Sequence, residues 1–226
     1  MKRRKENPVA PASTRKFTDL ALQSCSIAKD AAFNLREYLE NSSKMAFLAI
    51  KDCEKELDHM ERRIDEELPA AMAGVTEAEA RELLACLKFI IDLERIGDLT
   101  WSAAQHLQAL PSQLLRNDGH DLTAMADILE KMLVRVREGF VRRDLESAMW
   151  VRQTDTQIDQ VCRAVFRRHL GSMDQSQRDY STSLLLIAQA FERAGDHTKN
   201  LGEELVHLVE GRSVRHEPKR PKDQEK

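Results

Sequence analysis

Leu93-Glu94-Arg95-Ile96-Gly97-Asp98-Leu99-Thr100 and Phe191-Glu192-Arg193-Ala194-Gly195-Asp196-His197-Thr198 are two copies of one segment, set 98 residues apart. A repeat of that length is domain-sized, too long for a solenoid period, so the chain reads as a tandem duplication. In each copy a Glu and an Asp stand four residues apart, a spacing that stacks two carboxylates on one face of a helix. Around the copies, Leu, Ala, Glu, Arg and Lys recur at helical spacing. With only 8 Gly and 6 Pro among 226 residues and no strand-like alternation, the composition predicts an all-α protein.

Working outward, the periodicity predicts six helices. The first, about 15–40, carries Phe17, Leu20, Ser24, Ile27, Ala31, Leu35 and Tyr38 on one stripe, and Ser42-Ser43 caps the next. The second, about 44–68, turns Ile50, Cys53, Leu57, Met60, Ile64 and Leu68 inward and ends before Pro69. The third opens on the capping box Thr76-Glu77-Ala78-Glu79 and runs to about 110. Pro111 through Asp121, containing Asn117-Asp118-Gly119, reads as the boundary between halves. The plan then repeats with helices at about 121–142, 144–170 (closed by Gly171) and 175–210. Three antiparallel helices joined by short turns each bury one stripe, so the predicted architecture is two tandem three-helix bundles. The first occupies 15–112 and the second 119–211. Residues 1–14 and 212–226 read as disordered tails.

Both tails are basic. Residues 1–16 hold six Lys/Arg against one Glu, and residues 212–226 hold six against three acids; from a net charge of −3, this leaves −11 on the body. Such a body disfavours nucleic acid on the folded core and suits cations or basic partners. The four cysteines, Cys25, Cys53, Cys86 and Cys162, have no CxxC spacing, and most sit on apolar stripes as small hydrophobes in a reducing compartment. No run of 18 apolar residues occurs, so a cytoplasmic protein without membrane insertion is expected.

The acidic pairs carry the chemistry. Glu94 with Asp98 and Glu192 with Asp196 fall away from the apolar stripes of the third and sixth helices. Glu54 with Asp58 on the second helix, and Asp155 with Asp159 on the fifth, stand beside stripe residues of antiparallel neighbours. Four carboxylates per half can therefore converge into a patch that binds hard or borderline cations through oxygen. Chance alone gives roughly six acid pairs at this spacing on a solvated helical chain, and Glu61 with Asp65 is read as one of them. The repeated Glu-Arg-x-Gly-Asp context sets the signature pairs apart, because Gly within a helix costs about 1 kcal/mol against Ala and marks close packing or ligand approach. Arg95 and Arg193 read as salt-bridge partners of a neighbouring helix, and His197 reads as surface or as a ligand. Glu56…His59 and Glu204…His207 match the Glu-x-x-His spacing of di-iron bundles, but they lie in different halves. No phosphate-binding loop, nucleotide-binding Gly pattern or nucleophile elbow is present, and no catalytic residue is expected.

The two signature copies, the stretch Asp155-Thr156-Gln157-Ile158-Asp159 and the ending Leu208-Val209-Glu210-Gly211-Arg212-Ser213-Val214-Arg215-His216 resemble the PhoU family, over about residues 17–216. The resemblance implies tandem three-helix bundles whose E/D-x-x-x-D motifs hold multinuclear metal clusters, of iron, zinc, manganese or magnesium. It also implies a homodimer that acts with a phosphate ABC transporter and a phosphate-sensing histidine kinase to restrain the phosphate-starvation response. Glu94, Asp98, Glu192, Asp196, Asp155 and Asp159 match the acidic motif, whereas Glu54 and Asp58 depart from it by Glu for Asp. The first copy has Leu99 and Ser102 where the second has His197 and Asn200, so stronger metal binding is expected in the second half. A carboxylate-bridged metalloenzyme and a metal-free helical scaffold are the alternatives.

Overall fold

The computed structural model describes residues 12–110, 114–170 and 177–214. They form six helices: α1 (Ala12–Asn41), α2 (Lys44–Ala71), α3 (Glu77–Gln108), α4 (Arg116–Arg142), α5 (Leu145–Leu170) and α6 (Arg178–Glu210). The helix ends follow local chemistry. Ser42, at a left-handed φ of 51°, ends α1, and the Ser43 hydroxyl accepts from Ala46 N at 3.3 Å to start α2. The expected capping box is present: Glu79 accepts from Thr76 N at 2.7 Å, and Thr76 Oγ1 accepts from Glu79 N at 3.4 Å. Asp144 caps α5 by accepting from Glu146 N and Ser147 N. Gly211, at φ 72°, closes α6 by donating to His207 O at 2.8 Å.

Three boundaries differ from the sequence expectation, each because packing outweighs a local signal. Helix α2 runs past Pro69 to Ala71; a proline in the last turn forfeits one backbone bond, and Met72 N closes the turn onto Leu68 O at 3.0 Å. Helix α4 begins at Arg116, so Asn117-Asp118-Gly119 is its first turn and not a linker. The Asp118 carboxylate is fully buried and bonded there, and an acid in a first turn complements the helix dipole. Residues 12–14, expected in the N-terminal tail, begin α1, where Thr14 is buried and its carbonyl accepts from Thr18 Oγ1 at 3.1 Å. Likewise Val214, expected in the C-terminal tail, is 2% exposed and joins the core. Residues 1–11 and 215–226 of the tails, Pro111 and Gly171 lie outside the described residues.

Helices α1, α2 and α3 pack on one another, as α5 and α6 pack with α4, giving the two expected three-helix bundles. The halves also pack against each other, α1 on α4 and α3 on α6, the latter being the most extensive helix pair. Lys88 meets Glu204 and Asp92 meets His197, so α3 and α6 run antiparallel. Arg36 meets Glu130 and Arg137 meets Ser26, so α1 and α4 do too. One apolar cluster consequently extends from Phe17 to Val214 through both halves, with the Phe89 and Phe140 rings 4.6 Å apart where they meet. Among the described residues no helix is long and apolar enough to cross a membrane. All four cysteines are free, and burial pushes their thiols up, to about 12 at Cys25 and Cys86 and about 11 at Cys53 and Cys162. They remain protonated and unreactive at neutral pH.

Candidate functional site

The glycine of each signature lies at a close approach of two neighbouring helices. A Cβ on Gly97 would sit 2.6 Å from Leu57 Cδ1, and one on Gly195 would sit 3.1 Å from both Asp155 Oδ1 and Ile158 Cδ1. Leu57 precedes Asp58, so seating it in the Gly97 notch carries the acidic face of α2 onto that of α3. Glu54, Asp58 and Asp98 then each offer a carboxylate oxygen within 4.8 Å of the others, among the described residues the one group of three potential ligands so placed.

Glu94, one turn before Asp98, deepens this cluster. It is 5% exposed, and its Oε2 has no hydrogen bond. Burial first, and then the charges of Asp98, Glu61 and Asp58, push its carboxyl up to about 7 against the opposing pull of Arg95. Burial and Asp58 and Asp98 likewise raise Glu54. Glu61, read from the sequence as plain surface, borders the same patch: burial raises its carboxyl and Arg95 lowers it, while Asp65, Asp58 and Asp98 raise it further. Arg95 does not reach to a neighbouring helix as expected. Its Nη1 lies 3.2 Å from Glu94 Oε2 and 3.2 Å from Asp98 Oδ2, on its own helix and half exposed at the rim.

The second half is arranged differently. Asp155 is buried with its Oδ1 unbonded, and its Oδ2 lies 3.2 Å from Lys199 Nζ. The same ammonium is 3.3 Å from Asp196 Oδ1. Asp159 faces Arg163 at 3.9 Å, and burial followed by Asp196, Asp159 and Asp155 raises Glu192. His197 turns away from this patch: its Nδ1 is 2.8 Å from Asp92 Oδ1, across the α3–α6 interface. The geometry thus favours the first half, the reverse of the order that His197 and Asn200 suggest in the sequence. Of the eight candidate ligands, the structure draws Glu54, Asp58 and Asp98 together with Glu94 beside them, and draws Asp155 and Asp196 onto a lysine.

The oxygen-only donor set of the first cluster, beside a buried Glu94 whose Oε2 accepts no hydrogen bond and faces the Arg95 guanidinium at the rim, fits a hard divalent cation. The Glu-x-x-His pairs do not form a di-iron site. Glu204 is buried, with its oxygens 2.9 Å from Lys88 Nζ and 3.1 Å from His207 Nδ1, whereas Glu56 and His59 are exposed.

Two polar groups were not legible as sites. Asp92 interrupts an apolar run yet is buried against His197; an acid at an inward helix position was its only signal. Asp118 gathers Arg168, His169 Nε2 at 3.1 Å and Tyr180 OH at 2.9 Å, and His169 Nδ1 is 3.0 Å from Ser181 Oγ. This network pins the start of α4 to the end of α5 and the start of α6. Its order of Asp, His and Ser imitates a catalytic triad, but His169 and Ser181 are both buried.

A PhoU domain model matches this chain twice, at residues 22–107 and 122–205, one signature copy in each match. The chain is 31% identical over 172 residues to the phosphate-specific transport system accessory protein PhoU homolog of Rhizobium meliloti, spanning 74% of this chain and 72% of that protein. It is 30% identical over 172 residues to the PhoU homolog of Pseudomonas aeruginosa, spanning 74% and 71%. The crystal structure of PhoU from Pseudomonas aeruginosa has the same fold, with a TM-score of 0.80 at 22% identity over 89% of this chain and 99% of that one. The phosphate transport system regulatory protein PhoU from Streptococcus pneumoniae gives 0.80 at 23% identity over 89% and 97%.

Proposed function

We infer the function from kinship: this chain belongs to the PhoU family, whose domain it carries twice. Its relatives bear the name of accessory proteins of the phosphate-specific transport system, and an accessory, regulatory role in phosphate transport is the function assigned to this chain. In its finer form, the protein is a cytoplasmic, homodimeric adaptor without catalytic activity. It links a phosphate ABC transporter to a phosphate-sensing histidine kinase and holds the starvation response off while phosphate is plentiful. The observation that carries the reading is the double domain match, with an acidic signature in each copy. The charge of −11 on the body supports contact with basic partner surfaces.

Within that role, Glu54, Asp58, Glu94 and Asp98 are assigned to a divalent cation such as manganese, magnesium, iron or zinc. A cation there would neutralise acids that otherwise repel one another and would tie α2 to α3. The wider role is tested in the source organism. Deleting the gene in phosphate-rich medium is expected to switch alkaline phosphatase on constitutively, and a plasmid copy is expected to switch it off. Unchanged repression in the deletion strain would contradict the regulatory reading.

A further inference from the structure

The two signature copies neutralise their acids by different means. In the second, a single ammonium spans two helices: Lys199 Nζ, on α6, lies 3.2 Å from Asp155 Oδ2 on α5 and 3.3 Å from Asp196 Oδ1 on its own helix. An ammonium offers three donors and no acceptor, so it can hold both carboxylates at once. Asp155 is 2% exposed and its other oxygen is unbonded. A carboxylate that deep needs a compensating charge, and here the charge is a side chain. Ninety-eight positions earlier stands Trp101, whose ring packs 5.0 Å from Phe47 on α2. Lysine therefore has no counterpart in the first copy. The cation there, Arg95, makes its close ion pairs among the described residues with Glu94 and Asp98 of its own helix and is half exposed, so no ammonium is held between Glu54 or Asp58 and Asp98 as Lys199 is held between Asp155 and Asp196.

We propose that Lys199 is a tethered counter-cation: its ammonium takes, between α5 and α6, the place that a divalent ion takes between α2 and α3, so that the second signature is closed to metal while the first stays open. The proposal rests on the reading of the first signature as a cation site. A metal entering the second patch must displace an ammonium held by two carboxylates. When the lysine is neutralised, Asp155 and Asp196 lose the cation they share, and with Asp159 and Glu192 they leave a four-carboxylate patch with one buried member and only the exposed Arg163 beside Asp159, a hard-cation site by composition.

The test titrates the full chain, wild type and Lys199→Gln, with Mn2+ by calorimetry, alongside thermal melts with and without Mn2+. Lys199→Gln is expected to melt lower than wild type in metal-free buffer. It should also gain a Mn2+ site that wild type lacks and that a further Asp196→Asn removes, with Mn2+ restoring the lost melting temperature. Lys199→Arg, which keeps the charge, should gain no site. An unchanged Mn2+ stoichiometry in Lys199→Gln overturns the proposal. If Lys199→Gln is unfolded without metal, refolding on Mn2+ but not on matched NaCl supports the proposal, and failure to refold with either overturns it. A wild type that binds no Mn2+ beside a Lys199→Gln that does would sink the first-half reading while supporting Lys199 as the group that closes the second signature.

Discussion

Asp118→Ala is expected to lower the free energy of unfolding by about 3 kcal/mol, the scale seen when one partner of a buried charge network is removed. The carboxylate is fully buried and receives bonds from Arg168, His169 and Tyr180. Its loss leaves the Nε2 of the buried His169 without this carboxylate and takes from Arg168 the carboxylate it shares with His169 and Tyr180. It also loosens three helix ends at once. Burial pushes the Asp118 carboxyl up, but hydrogen bonds from His169, Arg168 and Tyr180 outweigh it and hold the group below its ordinary range. For a lowered carboxyl the sign is fixed: the stabilisation is complete above the unfolded value of about 4 and is lost as pH falls through the lower folded value. Urea unfolding of wild type and variant should therefore show a gap that is full at pH 7 and shrinks in acid. A gap below about 0.5 kcal/mol at pH 7 would mean that Asp118 is dispensable.

The second large effect is stabilisation by metal. At a free Mn2+ concentration of about 100 times Kd, a single site that exists only in the folded state adds about 2.7 kcal/mol, and Asp98→Asn should abolish that gain. In metal-free buffer the same variant should be no less stable than wild type, because Asp98 is one of the charges that push Glu94 up and its neutralisation relieves repulsion. Proton and metal compete at Glu94, whose carboxyl is raised to about 7. A raised carboxyl contributes stability that is full below its unfolded value of about 4.3 and is lost as pH rises through the folded value. The metal-free protein should therefore lose stability on passing from pH 6 to 8, and Mn2+ should return more at pH 8 than at pH 6. Differential scanning fluorimetry over that range reads both slopes, and equal Mn2+ stabilisation at the two pH values would remove Glu94 from the site.

Much of the fold was readable because periodicity and capping agree with packing: the stripe from Phe17 to Leu35, the Thr76–Glu79 box and the six-helix plan all recur in the structure. The failures fall where tertiary contacts override local chemistry. Asn117-Asp118-Gly119 has turn composition but lies in a helix, because Asp118 finds partners from residues 168, 169 and 180. The acidic residues were identifiable, and the notches at Gly97 and Gly195 follow from the cost of glycine in a helix. What the linear pattern did not reveal is where charges turn in three dimensions. His197 next to Asp196 suggests a shared site, yet a helix places adjacent residues about 100° apart, and His197 faces Asp92 instead. Lys199, unremarkable in sequence, is the residue that meets Asp196.

The claim at the centre of this account is that the duplicated signature is functionally unequal. The most direct measurement is the Mn2+ stoichiometry of purified wild type, Asp98→Asn and Asp196→Asn at pH 8, by elemental analysis after equilibrium dialysis. Wild type is expected to hold metal, Asp98→Asn to lose it and Asp196→Asn to retain it. Equal loss from both variants, or loss from Asp196→Asn alone, would contradict the claim.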